Sequence, residues 1–132
     1  MSDKGRRSVI QLDIDVPDRP GELAKLAAIL DDARINIDAI SAESTGGRSY
    51  MSLIVNEPMQ AREALMKGGY ACATRTVLVV SLENRPGALA GLARRLGDAG
   101  VDVLSLIHLG TIGGHAQVAI GVDNLEKARS LV

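Results

Sequence analysis

Aromatic side chains are nearly missing from this chain. Of its 132 residues only Tyr50 and Tyr70 are aromatic; there is no Phe and no Trp. Proteins that bind single-stranded nucleic acid stack bases on exposed rings, and this sequence offers almost none. Cysteine is reduced to Cys72, which excludes a disulfide framework within the chain and an all-cysteine zinc site. Neither charge dominates: 15 basic and 16 acidic residues give a net charge of −1, no field to hold a polyanion, so nucleic acid is not an expected partner. No apolar run approaches the roughly 18–20 residues that cross a bilayer. The segment from Ser2 to Arg7 is polar, and the apolar stretch behind it carries Asp13 and Asp15, so no secretory signal is read. A soluble cytoplasmic protein with no membrane partner is expected. What remains is 46% apolar residues, enough to bury the core of one ordinary domain or two small ones.

The chain repeats itself. Residues 18–41 read DRPGELAKLAAILDDARINIDAIS, and residues 84–107 read NRPGALAGLARRLGDAGVDVLSLI, an offset of 66. Arg19, Pro20, Gly21, Leu23, Ala24, Leu26, Ala27, Leu30, Asp32 and Ala33 recur as Arg85, Pro86, Gly87, Leu89, Ala90, Leu92, Ala93, Leu96, Asp98 and Ala99. The register then slips by one: Thr45-Gly46-Gly47 matches Thr111, Gly113 and Gly114, with Ile112 read as the extra residue. An insertion is expected in a turn, because inside a strand it would flip every later side chain.

Within the first copy, Ile10, Leu12, Ile14 and Val16 alternate with polar residues, which predicts a strand over 8–16. Leu23, Leu26, Ala27 and Leu30 form one helical stripe in a helix starting near Pro20. Strands are predicted over 35–42 and 49–56, joined at Gly46-Gly47, then a helix over 58–68 with Pro58 in its first turn. A fourth strand over 70–75 runs on into 76–82, the first strand of the second copy. The fold class is therefore α+β: two ferredoxin-like βαββαβ units in tandem, 1–75 and 76–132. The second stops inside its second helix and lacks its last strand. A longer native chain, an open edge, or a strand from a partner chain would each account for this.

Strand parity assigns Gln11, Asp13, Asp15, Asn36, Asp38 and Ser52 to a solvated back face in the first copy. The corresponding positions of the second copy are Val77, Val79, Leu104, Leu106 and Ala119, an apolar patch expected to pack against a second subunit of a homodimer. Cover by a C-terminal segment, or simply more hydrophobic strands, are the other readings.

Asp18-Arg19-Pro20-Gly21 and Asn84-Arg85-Pro86-Gly87 sit between strand and helix in both copies. Gly is a poor helix former; it is useful here if a ligand or backbone must come close. Free N–H groups at a helix start suit a small carboxylate. Asp18 and Asn84 are expected to cap the helices. A tight strand-to-helix turn with a cap is the structural alternative.

This pattern of a strand, the Arg-Pro-Gly loop running into the helix as Arg-Pro-Gly-x-Leu-Ala-x-Leu, and then INIDAIS or VDVLSLI resembles the ACT domain, a small regulatory amino-acid-binding module. The resemblance covers residues 8–75 and, less completely, 76–132. It implies domains that pair side by side, with an amino acid held where one domain's loop faces its neighbour's second strand. By position the loop residues are Asp18, Arg19, Pro20, Gly21, Glu22 and Leu23, and Asn84, Arg85, Pro86, Gly87, Ala88 and Leu89. The strand-two position that commonly bears an Asn is Asn36 in the first copy and Asp102 in the second, a departure from the pattern. The Asn84 loop against the Asn36 strand is the better pairing for a zwitterion, because two amides orient it where Asp18 against Asp102 would set carboxylate on carboxylate.

The resemblance implies a non-catalytic amino-acid sensor, with no cofactor, that modulates a partner enzyme of amino-acid metabolism. The rival is an interaction or dimerisation module, or a regulatory subunit without a ligand of its own. His108 and His115 lack a known metal spacing, and Cys72 reads as a small buried hydrophobe. The Arg94-Arg95 pair reads as a solvated helix face, and no acid–base or nucleophile constellation is present.

Overall fold

The alternating apolar positions of the first segment become a strand, β1 (Arg7–Pro17), in the computed structural model of the protein, which describes residues 7–132. It is followed by α1 (Glu22–Asp32), β2 (Ile37–Thr45), β3 (Arg48–Val55), α2 (Pro58–Lys67), β4 (Cys72–Glu83), α3 (Ala88–Asp98), β5 (Val103–Ile112), β6 (His115–Val122) and α4 (Leu125–Arg129). Among the described residues no helix is long and apolar enough to cross a membrane.

Contacts divide the chain into two units. The first comprises residues 10–75; the second comprises Thr76–Val132 together with residues 7–9. In the first unit the strand order is β2-β3-β1-β4, with β3 antiparallel to both β2 and β1. One face buries Leu12, Ile14, Val16, Leu53 and Val55 against Leu26 and Leu30 of α1 and Leu65 of α2. The stripe predicted from the sequence is thus the core face of α1. Leu23, its first member, lies in the opening turn and stays exposed.

In the second unit the order is β1-β4-β6-β5. Leu78, Val80, Val118 and Ile120 pack against Leu92 and Leu96 of α3 and Ala128 of α4. The strand position left vacant at the C-terminal end of this copy is filled by the start of β1. Residues 7–9 belong to this unit, where β1 neighbours β4, and Arg129 Nη2 donates to Ser8 Oγ at 3.3 Å. A division at 75/76 therefore differs from the contact division at residues 7–9. Edge filling from within the chain was not among the expected solutions, because nothing local in residues 7–9 records which strand they lie beside.

The extra residue of the second copy is not in the turn. Thr45 opposite Arg48 corresponds to Ile112 opposite His115, so the two hairpin turns match without a gap. The register shifts instead between His108 and Gly110, which places Leu109 in a β-bulge within β5. A bulge lets two residues face one, so an insertion inside a strand need not flip the side chains beyond it. Gly110 supplies the backbone for it, with φ 143°.

Bulges also correct the back-face assignment. A second register shift lies between Val103 and Ser105, and beyond it Leu106 pairs with Ile120, itself paired with Leu78. Leu106 therefore lies on the helix-covered face, while Ile107 joins Ala119 and Val79 on the back. Val77 and Val79 are already 0% and 3% exposed in the single chain, on an inner strand flanked by β1 and β6. No second subunit is needed to cover them. Leu104 and Leu106, on the edge strand β5, remain exposed.

The back face of the first unit is not simply solvated either. Gln11 is buried and donates from Nε2 to Asp13 Oδ1 at 2.8 Å. Ser52 Oγ donates to the same oxygen at 2.9 Å, and Arg75 Nε lies 3.3 Å from Asp13 Oδ2. Asp13 thus gathers Gln11, Ser52 and Arg75, which offsets part of the cost of burying them, while the buried Gln11 Oε1 has no partner among the described residues.

Candidate ligand-binding site

The two Arg-Pro-Gly loops share one backbone. The N–H of Glu22 donates to the carbonyl of Arg19 at 3.4 Å, and that of Ala88 to Arg85 at 3.3 Å. Gly21 has φ 90°, ψ −9° and Gly87 has φ 88°, ψ −13°. Pro at the second position, Gly with positive φ at the third and a bond closing the four residues make a type II turn. This is the physical content of the motif: Pro presets the second residue and Gly supplies a φ that other residues resist. A Cβ at either glycine would meet no other atom of this chain within 4 Å, so within the chain it is the positive φ that calls for glycine.

The expected capping role of Asp18 and Asn84 is not observed. The helix N-caps are Gly21 and Gly87, and neither has a side-chain cap bond. Asp18 and Asn84 lie one turn too early, since a cap side chain reaches only the second or third N–H of its helix. Their own N–H groups instead donate to the carbonyls of Gly47 at 3.0 Å and Gly114 at 2.9 Å, fastening each loop to the hairpin turn of its unit.

Side chains separate the two loops. In the first, Glu22 is buried; it accepts from Arg19 Nε at 2.7 Å and from the Tyr70 hydroxyl at 2.9 Å. Lys25 Nζ stands 5.5 Å from the centre of the Tyr70 ring. The bonds from Arg19 and Tyr70 hold the Glu22 carboxyl below the usual carboxylate range. Burial, followed by the bond to Glu22, raises the Tyr70 hydroxyl. In the second loop Ala88 stands where Glu22 would be, and Arg85 bonds to Glu83, which lowers the Glu83 carboxyl.

A cavity of about 270 Å³ opens at the second loop, lined by Leu82, Glu83, Asn84, Arg85, Ala88, Leu89, Leu106, His108, Ala116 and Val118. Four expected loop residues, Asn84, Arg85, Ala88 and Leu89, thus meet there; Pro86 and Gly87 shape the turn without lining it. The remaining lining comes from the ends of β4 and β6 and from β5. Leu106 and His108 were not expected here, because the bulges in β5 determine which side chains share its faces. Gly110, an isolated glycine in a strand-like run, was the one available sequence signal.

Asn36 and Asp102 do not lie within strands. Each precedes one, and each is tied to the residue following the third strand of its unit. The Asn36 N–H donates to Asn56 Oδ1 at 3.0 Å, and the Asp102 N–H donates to Asp123 Oδ1 at 2.9 Å. Asn36 Nδ2 also donates to Asp38 Oδ1 at 2.8 Å. Asp102 does not line the cavity of its own unit. Cys72 is buried, and its burial raises the thiol, in keeping with a packing role. Among the described residues no group of three metal-ligating side chains occurs.

The family whose model matches this chain is described as the ACT domain pair, and the match spans residues 7–132. Among solved structures, a Bacteroides thetaiotaomicron protein superposes with a TM-score of 0.87 at 25% identity, covering 96% of this chain and 87% of that one. The ligand-free regulatory subunit of aspartate kinase from Thermus thermophilus gives a TM-score of 0.69 at 22% identity, over 96% of this chain and 93% of that one. The corresponding subunit from Thermus flavus gives 0.70 at 23%, over 96% and 94%. No curated protein matches the sequence.

Proposed function

We propose, from the premise that this chain belongs to the ACT domain pair family, that it is a non-catalytic regulator that senses an amino acid at its second Arg-Pro-Gly loop and modulates an enzyme of amino-acid metabolism. The observation that carries this reading is the meeting of Asn84, Arg85, Ala88 and Leu89 with the β5 residues Leu106 and His108 around one cavity. Polar groups at its mouth suit a zwitterionic head, and aliphatic walls suit the rest of the ligand. The regulatory subunits of aspartate kinase share this fold, which supplies a precedent for a partner enzyme.

A partner surface is supported by a second observation. Leu23 and Ile40 are exposed in the first unit, and their counterparts Leu89 and Leu106 are exposed in the second. Their recurrence at both copies marks the same apolar surface position beside each loop, one that a partner could cover. Homodimerisation, or docking on an enzyme, would cover these pairs. Leu89 and Leu106 also line the cavity, so a ligand there would favour one arrangement of the partner over another and couple binding to regulation.

A dye-reported thermal shift against the twenty amino acids tests the reading. A ligand at about a hundred times its Kd should add roughly 2.7 kcal/mol of stability, a rise of several degrees for units of this size. The Asn84→Ala variant should abolish the shift. No shift with any amino acid would leave the interaction module as the function.

A further inference from the structure

We propose that the cavity of the second unit selects amino acids with a short aliphatic side chain, and that Ala88 and Val118 set the length it admits. This rests on the amino-acid reading given above and adds the ligand class. Three observations lead to it.

The charges at the cavity are already matched. Glu83 and Arg85 both line it, and they bond to each other. A basic ligand side chain would meet Arg85 and an acidic one Glu83; both are largely exposed, so this contrast is weak beside the aliphatic lining. An uncharged side chain disturbs neither.

The deeper walls are aliphatic. Val118 is buried, Ala88 and Ala116 are half-buried and Leu106 is exposed, an aliphatic lining to an open cleft that His108 also borders. At about 270 Å³ the space lies below the roughly 300–1,000 Å³ of sites for drug-sized molecules, which suits a side chain of a few carbons.

The first unit shows what larger residues do in the same frame. Through the matched backbone of loop and hairpin, Glu22 stands at the position of Ala88 and Met51 at that of Val118. Both are buried, so both fill space within their own unit. The small size of Ala88 and Val118 is therefore a property of the second copy and not of the fold.

The test is isothermal titration of the full chain with glycine, alanine, valine, leucine, lysine and aspartate. Affinity should rise from glycine to valine or leucine by about tenfold or more for each buried methylene. Lysine and aspartate should bind more weakly than leucine. Ala88→Leu and, separately, Val118→Met should each weaken leucine or valine at least about tenfold while sparing alanine. Circular dichroism would confirm that each variant folds; Ala88→Leu, in the first turn of a helix, keeps the test open if Val118→Met disturbs the core. Tighter binding of lysine or aspartate, or leucine affinity unchanged in both folded variants, would overturn the selectivity and leave amino-acid sensing standing. Failure of every amino acid to bind the unmodified chain would overturn both.

Discussion

The two Arg-Pro-Gly loops present one backbone with two chemistries. Their glycine dihedrals agree within a few degrees, and equivalent N–H groups find equivalent carbonyls. Yet the first loop is closed by Glu22, which ties Arg19 to Tyr70, whereas the second carries Ala88 and stands beside a cavity. The difference teaches that duplication preserves the frame, because the type II turn and its hairpin anchor are backbone devices. Side chains projecting from that frame are free to diverge, so a shared motif establishes a shared shape and not a shared ligand.

The sharpest way to break the comparison is at the strand the second unit takes from the N-terminus. Deleting residues 1–9 should unfold the second unit and leave residues 10–75 folded. Hydrogen exchange would show this as lost protection over Thr76–Glu83 and Val118–Val122, against retained protection in β3. Equal protection in both units would mean that β4 does not need its neighbour.

Next in size are the two cores. Leu30 and Leu96 are equivalent and both 0% exposed. Replacing either with Ala should cost about 2–5 kcal/mol by the lost contacts and the cavity left behind. Urea titration of the two variants should give costs of similar size; a much cheaper Leu96→Ala would show that the second core relaxes around the loss.

The turn glycines should then behave as a matched pair. Gly21→Ala and Gly87→Ala each force a Cβ into positive φ with no clash to relieve, at about 1–2 kcal/mol. Thermal melts should show the same drop for both. A large drop at only one would mean that the two turns are not energetically equivalent.

Acid should distinguish the loops by the smallest effect. The folded Glu22 carboxyl titrates below its ordinary value of 4.5, so its contribution to stability is complete above about that pH. As pH falls through the lower folded value, that contribution is lost. Glu83 is lowered too, but it and Arg85 are largely exposed, and such pairs contribute little. An NMR titration below pH 4.5 should therefore move Tyr70 and α1 while leaving the first turn of α3 nearly still. Equal movement in both loops would remove the distinction between a closed and an open loop.

Much of this was legible in the sequence. Alternation of Ile10, Leu12, Ile14 and Val16 could only be a half-buried strand. The Leu23, Leu26, Ala27, Leu30 spacing is that of a helix face, and the recurrence of both after 66 residues announced the tandem. The Arg-Pro-Gly motif gave the turn, with its glycine supplying the positive φ. Four of the cavity's ten lining residues, Asn84, Arg85, Ala88 and Leu89, fall in the loop stretch that the sequence singled out. The others do not. Whether Leu106 and His108 share a face with Val118 depends on where β5 bulges, and a bulge is settled by the register against β6.

The sequence by itself determined the elements, their repeat, the helix-covered cores and the turn at each helix entry, because these come from local spacing and from the conformational limits of Pro and Gly. Only the tertiary structure decided three things: that residues 7–9 complete the strands of the second unit, that Val77 and Val79 are already covered, and that Glu22 reaches Tyr70 while Ala88 leaves its space open. Each depends on partners distant in the chain, and strand pairing and side-chain burial are set by which neighbours the whole fold brings up, not by the residues next in line.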